Sequence, residues 1–462
     1  MFQRVRSISK VVSALSLAAL PSISFSAGYA LNEQSASAMG TANAGAAANP
    51  ENATVLFFNP AGLTYLDKAQ VSGGVALINV DTDFKGSATN TLGQPVDGSM
   101  GGDFVDLAVV PNLYVSTPIN DKWSAGIGVF APFGTTGDYN DDFVGRFFAD
   151  KTELKAIAVQ PTIAYKVNSE WSVGLGIDII HAEGTLTKFQ DYSALALPPT
   201  GIPSSLIKEG HFDVSGDDTA AGWNFGVMYQ PTADTTIGFN YKSKVEIELE
   251  GNASITNVPV ATGTNPPISY QTFSEKAMVP LTLPESATLS LMQKLDSEWT
   301  LYAGATWTRW SQFENLDIFS NESAGVGPVS ALAGPKYGQQ GMIGHVPEHW
   351  ENTWAFSVGA SYAYTPNFLI KAGYAYDESP IQKEFRTARV PGTDRNWFTL
   401  GTQYKMEGDW VIDGALGYLV IDDVKVNEHD YKVNGDKIGF SNLQGTYELS
   451  AYALAIQLTK SF

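Results

Sequence analysis

The sequence predicts an all-β protein: a transmembrane antiparallel β-barrel of about fourteen strands, with an N-terminal helical hatch filling the lumen. Three observations carry this expectation. Bulky and small side chains alternate with a period of two, short polar turns each lead into an aromatic residue, and a segment without alternation precedes the first strand. Of the 462 residues, 44 are Gly, 16% are charged and none is Cys, and the formal charge is −20. The acidic balance argues against a nucleic-acid partner, which needs a basic footprint. Absence of Cys excludes thiolate metal sites, Cys nucleophiles and a disulfide framework.

Residues 1–26 read as an export signal. Arg4, Arg6 and Lys10 supply its positive end, Val11 to Leu20 its apolar stretch, and Ser24-Phe25-Ser26 small residues at −3 and −1 for cleavage before Ala27. With no lipobox Cys, the chain is expected to cross the inner membrane and be released. No later run approaches the ~18 apolar residues of a spanning helix. The destination is then either the periplasm and beyond, or the outer membrane as a barrel.

The period of the apolar residues decides. In the last strand Tyr452, Leu454, Ile456 and Leu458 fall on one face, opposite Ala451, Ala453, Ala455, Gln457 and Thr459. A wall between lipid and lumen needs this division. A half-buried strand of a soluble sandwich shows it too, so repetition must separate the two. Turns recur at Asn120-Asp121-Lys122-Trp123, Asn168-Ser169-Glu170-Trp171, Asp296-Ser297-Glu298-Trp299, Thr365-Pro366-Asn367-Phe368 and Glu407-Gly408-Asp409-Trp410. Aromatic rings at one end of successive hairpins form a membrane-interface girdle, which a sandwich has no use for. Between these turns, residues 191–217, 252–280, 314–350 and 379–393 read as long irregular extracellular loops. Residues 69–462 are therefore assigned to the barrel.

Residues 27–68 do not alternate. They are rich in Ala, Ser, Asn and Gly, yet Tyr29, Leu31, Val55, Leu56, Phe57, Phe58 and Leu63 are too apolar for a solvated tether. Short helices plugging the lumen fit this composition, and an unplugged barrel of this width would leak.

The motifs of this segment are specific. Ala27-Gly28-Tyr29-Ala30-Leu31-Asn32-Glu33-Gln34-Ser35-Ala36, followed by Asn59-Pro60-Ala61, resembles the N-terminus and hatch motif of the FadL family of outer-membrane channels for hydrophobic compounds. Val110-Pro111-Asn112, Leu283-Pro284-Glu285, Trp310-Ser311-Gln312-Phe313, Asp377-Glu378-Ser379-Pro380 and Val390-Pro391 with Asp394-Arg395 continue the resemblance along the mature chain. It implies a monomeric fourteen-stranded barrel in the outer membrane. It also implies uptake of long-chain fatty acids, or of monoaromatic hydrocarbons, with ligand leaving sideways through the wall after the hatch moves.

A physical reason for a lateral gate exists in the residues themselves. Pro cannot donate to a sheet ladder, and Pro111, Pro132 and Pro161 fall in three successive segments. Ala131-Pro132-Phe133-Gly134 interrupts an alternating strand, as a rim bulge or, by the resemblance, as the kink that forms the gate. For the ligand, Tyr29, Leu186, Lys188 and Leu316 are the candidate contacts. Parity on the Trp171 strand turns Asp178, Ile180, Leu186 and Lys188 inward; Lys188 then pairs either a fatty-acid carboxylate or an acid of the protein, Asp178 or one in the hatch. Where some family members carry a further lysine after Trp310-Ser311-Gln312-Phe313, this chain has Glu314 and Asp317, which weakens the case for a carboxylate ligand. Leu195, Leu197, Ile202, Leu206 and Ile207 in the loop at 191–210 are candidates for ligand capture, or for a small lid core. Acidic loops are expected to hold divalent cations that bridge lipopolysaccharide among the outer-membrane lipid.

Other classes were weighed. His345-Val346-Pro347-Glu348-His349 is broken by Pro347 and does not follow the zinc-protease spacing. No G-x-S-x-G elbow exists for an outer-membrane esterase. A general porin would need an open polar lumen without a plug. Neither a cofactor nor a metal is expected.

Overall fold

A computed structural model describes residues 28–196, 202, 207–262 and 268–462. Residues 1–26, expected to be an export signal, and Ala27 lie outside the described residues. Among those described, strand segments join end to end into fourteen antiparallel strands that close on themselves. They are β1 (Gln70–Thr89), β2 (Ala108–Pro118), β3 (Trp123–Asp138), β4 (Lys151–Lys166), β5 (Trp171–Gln190) and β6 (Gly210–Thr232). Next come β7 (Thr235–Lys242 with Val245–Ala261), β8 (Ile268–Leu283 with Ser286–Lys294), β9 (Trp299–Thr308 with Asn315–Ser320) and β10 (Met342–Pro347 with Thr353–Thr365). The last are β11 (Phe368–Asp377), β12 (Arg395–Met406), β13 (Trp410–Ile421 with Val424–Glu428) and β14 (Asn442–Ser461). Each pairs with its sequence neighbour, and β1 pairs with β14 from Gln70↔Ser461 to Thr89↔Asn442, so the sheet has no free edge.

The outer surface explains why these sequences alternate. Tyr452, Leu454, Ile456 and Leu458 are exposed while Ala451, Ala453, Ala455, Gln457 and Thr459 are buried, as lipid outside and a filled lumen require. At the short-turn end, Asn120, Asn168 and Asp296 use their Oδ1 to accept the backbone N–H groups of the last turn residue and of the first strand residue, the latter being Trp123, Trp171 and Trp299. These Asx turns set each indole beside a cross-strand ring: Trp123–Tyr165 at 4.6 Å, Trp171–Tyr229 at 4.2 Å and Trp299–Tyr362 at 4.8 Å between centroids. A second set, with Tyr374–Phe398 and Tyr418–Tyr452, closes the apolar band above.

Beyond that band the pattern inverts. Glu246, Glu248 and Glu250 point outward, whereas Ile247, Leu249, Ala253 and Ile255 are buried inside. The segments 210–217, 252–261 and 268–280, together with 315–320 and 342–347, are therefore continued strand and not irregular loop. They build an extracellular extension of the barrel with a largely apolar interior. Helix α3 (Pro328–Tyr337) lies in the β9–β10 connection on top of it.

The hatch is compact. Helices α1 (Ala36–Met39) and α2 (Val55–Phe58) and a 3₁₀ turn (Pro60–Tyr65) fill the lumen. On one side Lys371 of β11 donates to Glu51 Oε2 at 2.7 Å and Ser37 Oγ at 2.8 Å, and Ser35 Oγ donates to Gln457 Oε1 of β14 at 3.0 Å. On the other, Asn59 Nδ2 donates to Ala47 O (2.7 Å) and Val227 O (3.0 Å), while its Oδ1 caps Ala61 N (3.1 Å). Asn59-Pro60-Ala61 sits directly on the paired glycines Gly174 and Gly226. A Cβ on Gly226 would lie 2.0 Å from Asn59 Oδ1, and one on Gly174 2.4 Å from Ala61 N. The motif is thus a seat between hatch backbone and wall, open only to glycine.

Candidate functional site

The wall has a window between β2 and β3. Their ladder ends at Asn112↔Phe130, although β2 continues to Ala108 and pairs there only with β1. Contact across the two segments resumes where Asp138 N donates to Phe104 O at 2.7 Å. Against β4, the register of β3 shifts between Phe130 and Phe133, so Ala131 and Pro132 leave the ladder. Pro132 has no N–H to give, and the carbonyls freed by the kink turn to the hatch. Leu31 N donates to Pro132 O (2.8 Å), Gly134 N to Tyr29 O (2.9 Å), and Gln34 Nε2 to Ala131 O. Ala30 forms a β-bridge with Phe133. The N-terminus of the hatch thus bonds to the kinked backbone beside the window, and Ala131, Pro132, Phe133 and Gly134 all belong to that contact.

Above this contact lies an apolar cavity. Tyr29 forms its floor, held by its hydroxyl on Thr282 O (3.0 Å) and packed edge-on against Trp310 at 4.8 Å and Phe313 at 5.8 Å. Leu186, Val214, Leu281 and Leu316 line the sides. A second cavity sits further out under α3 and shares Leu186, Leu316 and Arg389 with the first. Three of the four candidate ligand contacts, Tyr29, Leu186 and Leu316, therefore meet in the inner cavity, and Lys188 lines the outer one.

The charges differ from the expectation. Lys188 pairs with Asp430 at 3.7 Å, not with Asp178 or a hatch acid, and Lys336 of α3 pairs with the same carboxylate at 3.1 Å. Burial would raise the Asp430 carboxyl, but the two ammonium groups hold it down at about 2. Asp178 instead accepts Asn224 Nδ2 at 2.8 Å. Asp317, standing where a further lysine was weighed, binds His345 Nδ1 at 2.6 Å.

The cation that reaches both cavities is Arg389, from the β11–β12 loop. Its Nη1 donates to Lys151 O (3.0 Å) and Thr152 Oγ1 (2.9 Å), its Nη2 to Thr187 O (2.9 Å). That leaves two of the five guanidinium N–H donors, one on Nε and one on Nη2, without a protein acceptor among the described residues. Glu348 shares the inner cavity. Burial pushes its carboxyl up to about 8 although Trp350 Nε1 donates to it at 2.8 Å. At neutral pH Glu348 is then uncharged; Glu153, which also lines this cavity, is paired with Lys151 at 3.3 Å and with Lys155, so Arg389 is the cation left to the cavity. The sequence reading missed Arg389; its one signal was adjacency to the Val390-Pro391 motif.

Of the loop residues weighed for capture, Leu195 and Ile207 are half-buried and Ile202 is buried; Leu197 and Leu206 lie outside the described residues.

A lipid-facing barrel, a plugged lumen and an apolar cavity beside a wall window define an outer-membrane channel for hydrophobic molecules. Residues 17–462 match the family described as outer membrane protein transport protein (OMPP1/FadL/TodX). The chain is 28% identical over 435 residues to a long-chain fatty acid transport protein of Salmonella typhi, covering 92% of this chain and 94% of that one. Among solved structures it resembles a Pseudomonas aeruginosa FadL homologue with a TM-score of 0.81 and 25% identity, over 94% of this chain and all of the other. The Pseudomonas putida toluene transporter TodX shares the fold, with a TM-score of 0.67 and 19% identity over 94% and 99% of the two chains. The chain belongs to the FadL family of outer-membrane transport proteins, whose members are channels and not enzymes.

Proposed function

We propose that this channel takes up long-chain fatty acids. In this reading, ligand enters the outer cavity under α3 and passes Leu186 and Leu316 into the inner one. There Tyr29 meets the acyl chain and the open donors of Arg389 meet the carboxylate. The ligand leaves sideways through the window at Ala131–Gly134 once the Leu31 and Gln34 contacts release. The observation that carries the reading is the pair of uncommitted Arg389 donors in an apolar cavity whose two acids make no claim on them, Glu348 being neutral at pH 7 and Glu153 paired with Lys151 and Lys155. Charge-assisted, partly buried donors of this kind suit an anionic head group. Lys188 adds positive potential at the entrance while its partner Asp430 stays with Lys336. The described loop residues Leu195, Ile202 and Ile207 act as a lid. The barrel closes within one chain, which supports a monomer, and the outward carboxylates of the extracellular extension suit cation-bridged lipopolysaccharide.

A hydrocarbon channel of the same fold would need no cation. Binding of oleate and of toluene to the purified protein separates the two. Hydrogen bonds to charged groups contribute about 1.5–3 kcal/mol, so Arg389→Met weakens oleate roughly 10- to 150-fold and leaves toluene within a factor of three. Equal losses for both ligands, or toluene binding without oleate binding, would favour the hydrocarbon reading. Arg389→Lys, which keeps a charge on a flexible stem, recovers part of the oleate affinity.

A further inference from the structure

A third cavity lies lower, between the hatch and the walls of β7–β12, and touches Pro132 and Phe133 at the window. Its character is different. Ser286, Thr288 and Thr306 give it a hydroxyl-bearing side, and Asn240 and Lys242 of β7 face into it. The Lys242 ammonium makes no hydrogen bond or salt bridge among the described residues. It stands 3.2 Å from the ring centroid of Phe57 in α2, and Asp178 acts on it from beyond ion-pair distance. Asn240, two residues away on the same face, is 3% exposed, and its Oδ1 has no partner. A half-buried ammonium and a buried amide with unused capacity, side by side in one cavity, cost free energy unless a ligand or water completes them. The other acids lining this space are Glu33 and Asp377, and Asp377 is already paired with Arg395 at 3.0 Å.

Phe57 links this spot to the wall. Its ring packs edge-on against Phe130 at 4.9 Å, and Phe130 is the last residue of β3 paired with β2 before the window. Lys242, Phe57 and Phe130 thus form a row from the cavity to the window. A cation whose direct contact is an aromatic face, with Asp178 acting on it from farther off, is readily drawn to a carboxylate, because the attraction of the ring is weaker than a charge-assisted hydrogen bond.

We infer that Lys242 forms a second head-group site, at hatch level, for the carboxylate of an anionic amphiphile, while the Asn240 Oδ1, an acceptor, takes its bond from a water that hydrates that head group. This rests on the fatty-acid reading and deepens it: the head group moves from Arg389 down to Lys242. The ammonium then leaves the face of Phe57, freeing that ring and Phe130 to move apart at the window.

The test uses the full mature chain in lipid nanodiscs with oleate carrying ¹³C at the carboxyl carbon, followed by NMR. Wild-type protein should show two bound carboxylate signals and hold two oleates per barrel. Lys242→Met should lose one signal and halve the capacity, Lys242→Arg should keep both, and Arg389→Met should lose the other. Heat-modifiable migration of each variant in gels confirms a folded barrel. A single wild-type signal that vanishes in Arg389→Met, or two signals that survive in Lys242→Met, would overturn the second site and leave the fatty-acid reading intact. No bound carboxylate in wild type, with labelled toluene bound instead, would overturn both.

Discussion

Replacing Gln34 by Met tests whether the hatch holds the kink of β3. Gln34 is fully buried, and its Nε2 donates to Ala131 O and to Leu31 O at 3.2 Å. Met keeps the bulk and removes both bonds, leaving the Ala131 carbonyl at the kink without its donor. Only the bond to Ala131 O crosses from hatch to wall, and it is worth about 0.5–1.5 kcal/mol to the closed arrangement. Part is offset because the Gln34 Oε1, which has no partner in the folded state, is also removed. That range corresponds to a roughly 2- to 13-fold shift toward the released hatch. Hydrogen exchange by mass spectrometry in nanodiscs reads it directly. Leu31 N and Gly134 N both bond across the hatch–kink contact, so peptides covering 29–34 and 130–136 should exchange faster by that factor. A peptide from the β1–β14 seam should not change. Unaltered protection at both sites would refute the idea that this contact holds the window closed.

Three other outcomes follow from the same geometry. Gly226→Val drives a side chain into Asn59 Oδ1 and should unseat the hatch, so planar-bilayer conductance rises from near silence to steady channels; a silent variant would separate the seat from the plug. Glu348, with its carboxyl raised to about 8, becomes charged beside Arg389 as pH climbs through that value, so oleate binding should weaken between pH 7 and 9. Glu348→Gln should abolish this inflection, and a persistent one in the variant would assign it elsewhere. Asp430 is depressed to about 2 from an unfolded value of about 3.9. Its stabilisation is therefore complete above pH 4 and lost as pH falls toward 2, amounting to about 2–3 kcal/mol. Pepsin cleavage of the β13–β14 loop should accelerate over that interval, and Asp430→Asn should be cleaved quickly throughout it.

Much of the barrel is legible because lipid imposes a single rule on its outer face. The Asn120, Asn168 and Asp296 turns announced strand starts, and Pro132 announced the kink, since a missing N–H is a local fact. The extracellular extension was misread for a physical reason. Above the bilayer the outer face meets water, so apolar residues such as Ile247 and Leu249 move inside and the lipid-facing template no longer applies. The glycine seat was hidden within the small-residue face, where Gly174 and Gly226 look like any lumen residues until the hatch backbone rests on them. Arg389 lies in a loop without periodicity. Asp430, the partner of Lys188, is far away in the chain and brought close only by barrel closure.

A fatty acid carrying a photoreactive diazirine, illuminated in the reconstituted protein and mapped by peptide sequencing, follows the route most directly. Labelling should fall on the cavity at Tyr29, Leu186 and Leu316 and on the window at Ala131–Gly134. Labelling of the lumen wall near the short-turn end, at Ser72 or Thr459, with none at the window, would contradict lateral passage.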